Sequence, residues 1–290
     1  MMLRVMLTRR NFLKSSAAAL PVLAFHNQGG LAKPHRPIGV QLYTVRNVIE
    51  KDPPGILKQI SAIGYQQVET YWNLYTHPAK ELAQMISDAG LSVPSGHFDY
   101  DGLAGKINYA NQLGVNWMVC PMLLPNMQSS WEGFRAAARQ FNEWGKLVQN
   151  AGMQFAFHNH DYEFKPYNNG KTGFQVLLDE TDPNLVFFEM DCYWVTQAGF
   201  DPVEMLHKLG KRVRMLHLKD RKPGFPPSYD MGESSSHFTE IGHGSINWKA
   251  VIDTAQSMGI EYYFVEQDQT PGNPLASIRS SYQYLRTIMA

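Results

Sequence analysis

Histidine, aspartate and glutamate recur in this chain at the places where apolar runs end. The stretch Phe155-Ala156-Phe157-His158-Asn159-His160-Asp161-Tyr162-Glu163-Phe164 opens apolar and closes in ligand-type residues. In an extended strand successive side chains point to opposite faces, so His158 and His160 share one face and Asn159 takes the other. Two imidazoles at the exit of a buried strand need partners, either neighbouring hydrogen-bonding groups or a metal ion. Other apolar runs end the same way, in Glu69, in His97 and Asp99, in Glu189 and Asp191, in His217 and Asp220, and in Glu266 and Asp268. Asp191, His217 and Glu266 close three successive runs and can converge on one point. A mixed oxygen and imidazole set without thiolate suits one divalent ion, Mn²⁺, Zn²⁺, Co²⁺ or Mg²⁺. The single acidic exits Asp99, Asp220 and Asp268 read as solvated carboxylates.

The chemistry such a set can do is proton removal next to a carbonyl. A divalent ion polarises the carbonyl oxygen, and a positioned base takes the proton. His97, His160 and Glu266 are the candidate bases. Glu69, Glu189, Lys219 and Arg221 are candidates to hold hydroxyls or an anionic group. Trp194, with Tyr43, Trp72, Phe98 and Tyr193, could stack on a sugar ring or simply pack the rim.

The elements that must position these residues alternate regularly. Strands are predicted at Ile38–Tyr43, Tyr65–Thr70, Leu91–Phe98, Val115–Cys120, Met153–His158, Leu185–Asp191, Val213–Leu218 and Tyr262–Val265. Apolar residues at helical spacing follow each of them, as in Ile56, Leu57, Ile60 and Ile63. Pro94 is a blemish for a central strand, and the loop from Asp220 to Gly244 carries no periodicity. Eight strand–helix units in one run predict an α/β fold, a single (β/α)8 TIM barrel, with functional residues at the C-terminal strand ends. No glycine-rich phosphate turn follows the first strand, which speaks against an open dinucleotide-binding sheet.

The chain has 290 residues, 44% of them hydrophobic, and a formal net charge of zero. It shows no basic stripe, so a nucleic-acid partner is not expected. Cys120 and Cys192 both lie in apolar runs and read as packed free thiols. Residues 1–33 carry Thr8-Arg9-Arg10-Asn11-Phe12-Leu13-Lys14 and then a short apolar run, Ala17 to Phe25. That is a twin-arginine export pattern, too short for a membrane span, and it predicts a periplasmic barrel over residues 34–290 with no membrane attachment after signal removal. Replacing Arg9 and Arg10 by Lys should leave uncleaved protein in the cytoplasm; normal export of that variant would refute the pattern.

The residues His158-Asn159-His160 with Glu163-Phe164, Glu189-Met190-Asp191-Cys192-Tyr193-Trp194-Val195 and Leu216-His217-Leu218-Lys219-Asp220 form a recognisable set. Glu240-Ile241-Gly242-x-Gly244 and Val265-Glu266-Gln267-Asp268 complete it. With them the chain resembles the xylose-isomerase-like barrel superfamily, in particular its sugar phosphate isomerase/epimerase group, from about Ile38 to the C-terminus. The resemblance implies a divalent metal held by the ends of strands five to eight. In the ketose 3-epimerases of that group the ligands are Glu, Asp, His and Glu. The last three fall on Asp191, His217 and Glu266, and the first falls on His158, a departure. A second departure is Trp194, where related enzymes often carry His. The epimerases use the first and last glutamates as an acid/base pair, so His158 puts that relay in doubt.

The leading expectation is therefore a metal-dependent sugar isomerase or epimerase acting on a small carbohydrate, with self-association left open. The runner-up is a lyase or hydrolase of keto-glycosides that expels a β-substituent from the same enolate. An apurinic-site endonuclease would want more ligands and a basic groove. An exported sugar-binding protein would need no convergent acid, base and metal set.

Overall fold

Eight short parallel strands close on themselves, six of them ending in the polar residues just named. The computed structural model describes residues 36–167, 170–232 and 236–289; the export-signal expectation for residues 1–33 lies outside them. In chain order the strands are β1 (Gly39–Gln41), β2 (Gln67–Thr70), β3 (Ser92–His97), β4 (Trp117–Cys120), β5 (Gln154–His158), β6 (Val186–Asp191), β7 (Val213–Leu218), β8 (Asp220–Arg221), β9 (Phe238–Thr239) and β10 (Tyr262–Val265). The barrel runs β1-β10-β7-β6-β5-β4-β3-β2, and β8 and β9 form a separate two-stranded antiparallel sheet. That small sheet lies in the segment after β7 where no periodicity was legible.

The helices are α1 (Arg46–Ile49), α2 (Pro53–Ile63), α3 (Ala79–Asp88), α4 (Ile107–Leu113), α5 (Trp131–Asn150), α6 (Gly173–Glu180), α7 (Cys192–Gln197), α8 (Pro202–Leu209), α9 (Trp248–Ser257) and α10 (Pro274–Ile288). Their starts follow local chemistry. The side chains of Asp52, Ser130, Asp201 and Asn247 accept from backbone N–H groups that the first turn cannot pair. Gly114 ends α4 at φ 87°, a left-handed conformation that a side chain would strain. One face of each long helix is apolar; on α5, Phe134, Ala137, Ala138, Phe141 and Val148 are buried against the sheet.

Pro94 lies inside β3 after all, and the register explains how. Gln67 pairs with Ser92 but Glu69 pairs with Ser95, so one extra residue of β3 is accommodated as a bulge. The missing N–H of proline falls where the pairing is already broken, while its carbonyl still accepts from Asn116 N at 2.8 Å. Beyond the bulge, Ser95 and His97 both turn into the barrel.

Inside the barrel, Trp117, Val119, Ala156, Met215 and Phe264 pack as an apolar plug. Above it most inward positions are polar. No helix among the described residues is long and apolar enough to cross a membrane. Cys120 and Cys192 are free and buried, as the sequence implied.

Candidate active site

Strand register brings the polar ends into two tiers. In β5 and β6 His158 pairs with Glu189, and in β6 and β7 Asp191 pairs with His217, so both sets face one axis. The lower tier centres on Glu189. Its Oε2 lies 2.8 Å from His97 Nε2, 3.2 Å from His158 Nδ1 and 3.1 Å from His217 Nε2. Glu69 joins it, 2.6 Å from His217 Nε2, and accepts from Gln41 Nε2 at 2.8 Å and Ser95 Oγ at 2.5 Å. The upper tier holds His158, Asp191, His217 and Glu266, whose ligand-type atoms lie within 4.8 Å of one another. His217 Nδ1 is 2.8 Å from Glu266 Oε2, and His158 Nε2 is 3.7 Å from Asp191 Oδ2.

Lys219 threads between the acids. Its Nζ lies 3.0 Å from Asp191, 2.7 Å from Glu266 and 2.8 Å from Asp268, and the side chain is 1% exposed. Three carboxylates use its three donors. Asp268 is therefore an ion-pair partner and not the solvated exit carboxylate expected.

Burial pushes the Glu189 carboxyl up, but the His217 charge and hydrogen bonds from His158, His217 and His97 outweigh it and hold it well below the usual range. For His217 burial acts the other way, and the charges of Glu189, Glu266 and Glu69 overcome it, raising the imidazole well above its ordinary value. Burial and the charge of His217 push His158 down to about 3. Burial first, then the charges of His158 and Lys219, hold His160 well below the ordinary imidazole value. Burial lifts Asp191 to about 6 in spite of Lys219.

The donor set fits a divalent ion. Glu69, Glu189, Asp191, Glu266 and Asp268 face a single ammonium, Lys219, across this cluster. Glu189 Oε1 and Asp191 Oδ2 are buried without a directed hydrogen bond, although Lys219 Nζ approaches the latter. Buried lone pairs left in this way are costly unless something cationic meets them. His158, Asp191, His217 and Glu266 offer two nitrogens and two carboxylates, a set suited to Mn²⁺, Zn²⁺ or Co²⁺.

Above the cluster opens a cavity of about 240 Å³. His97, His158, His160, Lys219 and Glu266 reach it from below, and Tyr43, Trp72, Trp194 and Phe238 form aromatic walls. His160 packs its ring against Trp194 at 5.1 Å and His158 at 5.0 Å. Its Nδ1 is buried with no hydrogen-bond partner, and so is the indole N–H of Trp194. The His160 backbone is held by Glu163, whose Oε2 accepts from His160 N at 3.0 Å. The Asn159 side chain points the other way and accepts from Asp191 N at 3.1 Å.

Of the residues singled out in the sequence, His97, His158, His160, Trp194, Lys219 and Glu266 reach the cavity. Asp191 and His217 lie directly beneath, fully buried. Glu69 and Glu189 are also fully buried but do not line it; they brace the imidazoles from below. Arg221 is not brought to the cavity. Its Nε donates to Gln197 Oε1 at 2.5 Å and its terminal nitrogen to the carbonyls of Phe225 and Pro226, so it ties down the segment after β8. Of the candidate stacking residues, Tyr43 and Trp72 line the cavity, whereas Phe98 stacks on Tyr75 and Tyr193 backs Phe238. Sequence reasoning missed Met122, Met231 and Phe238. The last two come from the aperiodic segment after β7, where nothing in the residue pattern marks a cavity wall.

Asp220 is a second correction. It is buried, and its carboxylate accepts from the amides of Arg221 (2.8 Å), Gly242 (2.9 Å), Gly244 (3.0 Å) and Ile246 (3.3 Å) and from Trp248 Nε1 (2.8 Å). One carboxylate thus ties residues 242–248 to β8, next to β9, which carries the wall residue Phe238. Asp220→Ala leaves several buried donors unpaired and should lower unfolding free energy by about 3 kcal/mol. Urea denaturation checks this, and an unchanged midpoint would refute the anchoring role.

Known proteins bear on this arrangement. An inosose dehydratase of Clostridium botulinum is 28% identical over 171 residues, covering 53% of this chain and 54% of that protein. The chain thus spans about half the length of the curated relatives it matches. A sugar phosphate isomerase/epimerase structure from Parabacteroides distasonis superposes with a TM-score of 0.75 at 23% identity, over 87% of this chain and 98% of that one. A probable 3-DHS dehydratase from Bacillus anthracis does so with a TM-score of 0.68 at 14% identity, over 86% and 98%. At these identities the two structures speak to the fold. The sequence match itself runs from residue 57 to residue 288, through β2 to β10 and the strand ends that carry the His, Asp and Glu cluster, and on it the chain belongs to the xylose isomerase-like TIM barrel family.

Proposed function

We propose that the protein is a metal-assisted lyase of keto-sugars, removing a proton next to the carbonyl and expelling a β-oxygen substituent. The observation that carries this is the unequal state of the site's bases. His160 presents a buried, unpartnered nitrogen in a cavity wall, held neutral. Glu266, the carboxylate that a two-face epimerase would use, is bound by Lys219 at 2.7 Å and His217 at 2.8 Å. At the end of β5 stands His158 in place of the other carboxylate. One free base and no free opposing carboxylate suit elimination better than proton return on the opposite face. Dehydratases among the sequence relatives support the same choice.

When bound by His158, Asp191, His217 and Glu266, a divalent ion would polarise the carbonyl and stabilise negative charge on its oxygen. His160 takes the proton from the carbon next to the carbonyl, giving an enolate, whose electron pair then forms the carbon–carbon double bond as the β carbon–oxygen bond breaks. His97, whose Nε2 is fixed by Glu189, lies across the cavity floor and gives the departing oxygen its proton. Lys219 stays charged, since Asp191, Asp268 and Glu266 raise its ammonium well above the ordinary value against the pull of burial. It therefore neutralises the acids and does not relay protons. Tyr43, Trp72 and Trp194 wall the site and keep water from the enolate.

Product analysis on a panel of keto-sugars and keto-glycosides, with Mn²⁺ supplied, tests the reading. An unsaturated keto-sugar with released water or aglycone is expected. A product isomeric with its substrate would remove the lyase in favour of the epimerase.

A further inference from the structure

We propose that the cavity takes an uncharged, unphosphorylated keto-sugar and rejects sugar phosphates. The inference rests on the sugar-lyase reading and narrows its substrate. A phosphate group needs a free cation or a set of free backbone amides. Among the described residues Lys219 is the only lysine or arginine lining the cavity, and its three donors already face Asp191, Glu266 and Asp268. Drawing it to a phosphate would leave buried carboxylates without their partner. Arg46 stands closest in chain to the wall residue Tyr43, and its guanidinium donates to the carbonyls of Tyr43 (2.9 Å) and Asp268 (2.7 Å).

The clustered amides of the loop after β7 are spent as well. Barrels of this architecture commonly seat phosphate in the loops after the seventh and eighth barrel strands, beside a helix start. Here the loop after β7 leads into α9 and forms just such a cluster of N–H groups. The carboxylate of Asp220 already occupies it, accepting from Gly242, Gly244 and Ile246 and from the Trp248 indole. The protein fills its anion nest with an acid of its own. The remaining walls are mostly aromatic or thioether, with Pro121, Asp268 and Gln269 among them, a lining that suits a neutral sugar ring and its hydroxyls and adds no cation.

Calorimetric titration of the full chain with matched ketohexoses and their 6-phosphates, Mn²⁺ present, tests this. The free sugar of each pair should bind at least about tenfold more tightly, because like charges are brought together by the phosphate. A 6-phosphate that binds equally well or better overturns the inference and leaves the sugar chemistry standing. If no member of any pair binds, the sugar-lyase reading fails and inorganic phosphate on chelator-treated protein decides the inference separately. Saturable phosphate binding with Kd below about 1 mM overturns the exclusion of phosphate, and its absence upholds that exclusion alone.

Discussion

Asp191→Ala and His217→Ala should each lower turnover at least about 10³-fold, the scale on which loss of charge stabilisation at a developing oxyanion is felt. Both should also lose the divalent ion that the wild type is expected to hold, one per chain. The two residues face each other across β6 and β7, and each touches other members of the cluster. Removing Asp191 takes away one oxygen ligand and frees Lys219 to pair more closely with Glu266 and Asp268. Removing His217 leaves Glu69, Glu189 and Glu266 without the imidazole that lies among all three. Both variants should also lose stability, the first because Asp191 Oδ1 caps α7 by accepting from Trp194 N at 3.0 Å, the second because buried acids lose their partner. Elemental analysis after chelator-free purification, with melting curves for both variants, separates metal loss from unfolding. A wild type that holds no metal and refuses Mn²⁺, Zn²⁺ and Co²⁺ would sink the site and the mechanism together.

The barrel was legible because its signals are local. Each strand is a short apolar run, most helix starts have a capping side chain or proline, and the order repeats. Even Pro94 proved compatible once a bulge absorbed its missing donor. The convergence of the strand-end side chains was legible for a related reason: at a strand end, parity alone fixes which side chains enter the barrel, as it does for Asp191 and Glu189. What parity cannot give is depth. Glu69 and Glu189 enter the barrel as expected but stop below the cavity, where they serve the imidazoles and not a substrate. Arg221 and Asp220 follow a strand end too, yet Arg221 turns to Gln197 and backbone carbonyls, and Asp220 to four amides and an indole. Those partners come from segments with no period, and pairing across such segments is decided by tertiary contacts that a local pattern does not carry. Phe238 is hidden for the same reason.

His160→Asn should reduce turnover by about 10²–10⁴-fold with KM little changed, the expected cost of removing a general base that does not anchor the substrate. The ring rests on Trp194, Tyr162 and His158, and its Nδ1 makes no hydrogen bond, so the change breaks no network. The same variant should lose exchange of the substrate's α-proton with D₂O in equal measure, because both begin with the same abstraction. His97→Gln divides the steps. If His97 protonates only the leaving oxygen, this variant should still exchange the α-proton while forming product slowly, so deuterated substrate accumulates. In an epimerase the two would not separate, since the proton taken must also be returned, and deuterium would appear in the isomeric product. His158→Glu then acts as a discriminator: it restores the carboxylate at the end of β5 and should help an epimerase, but beside Glu189 and Asp191 it adds a third acid to a crowded site and should impair the lyase. Metal content measured on every variant keeps ligand loss apart from base loss. Wild-type exchange in His160→Asn would take the base from this residue, and His97, already bound to Glu189 through Nε2, would be next in line.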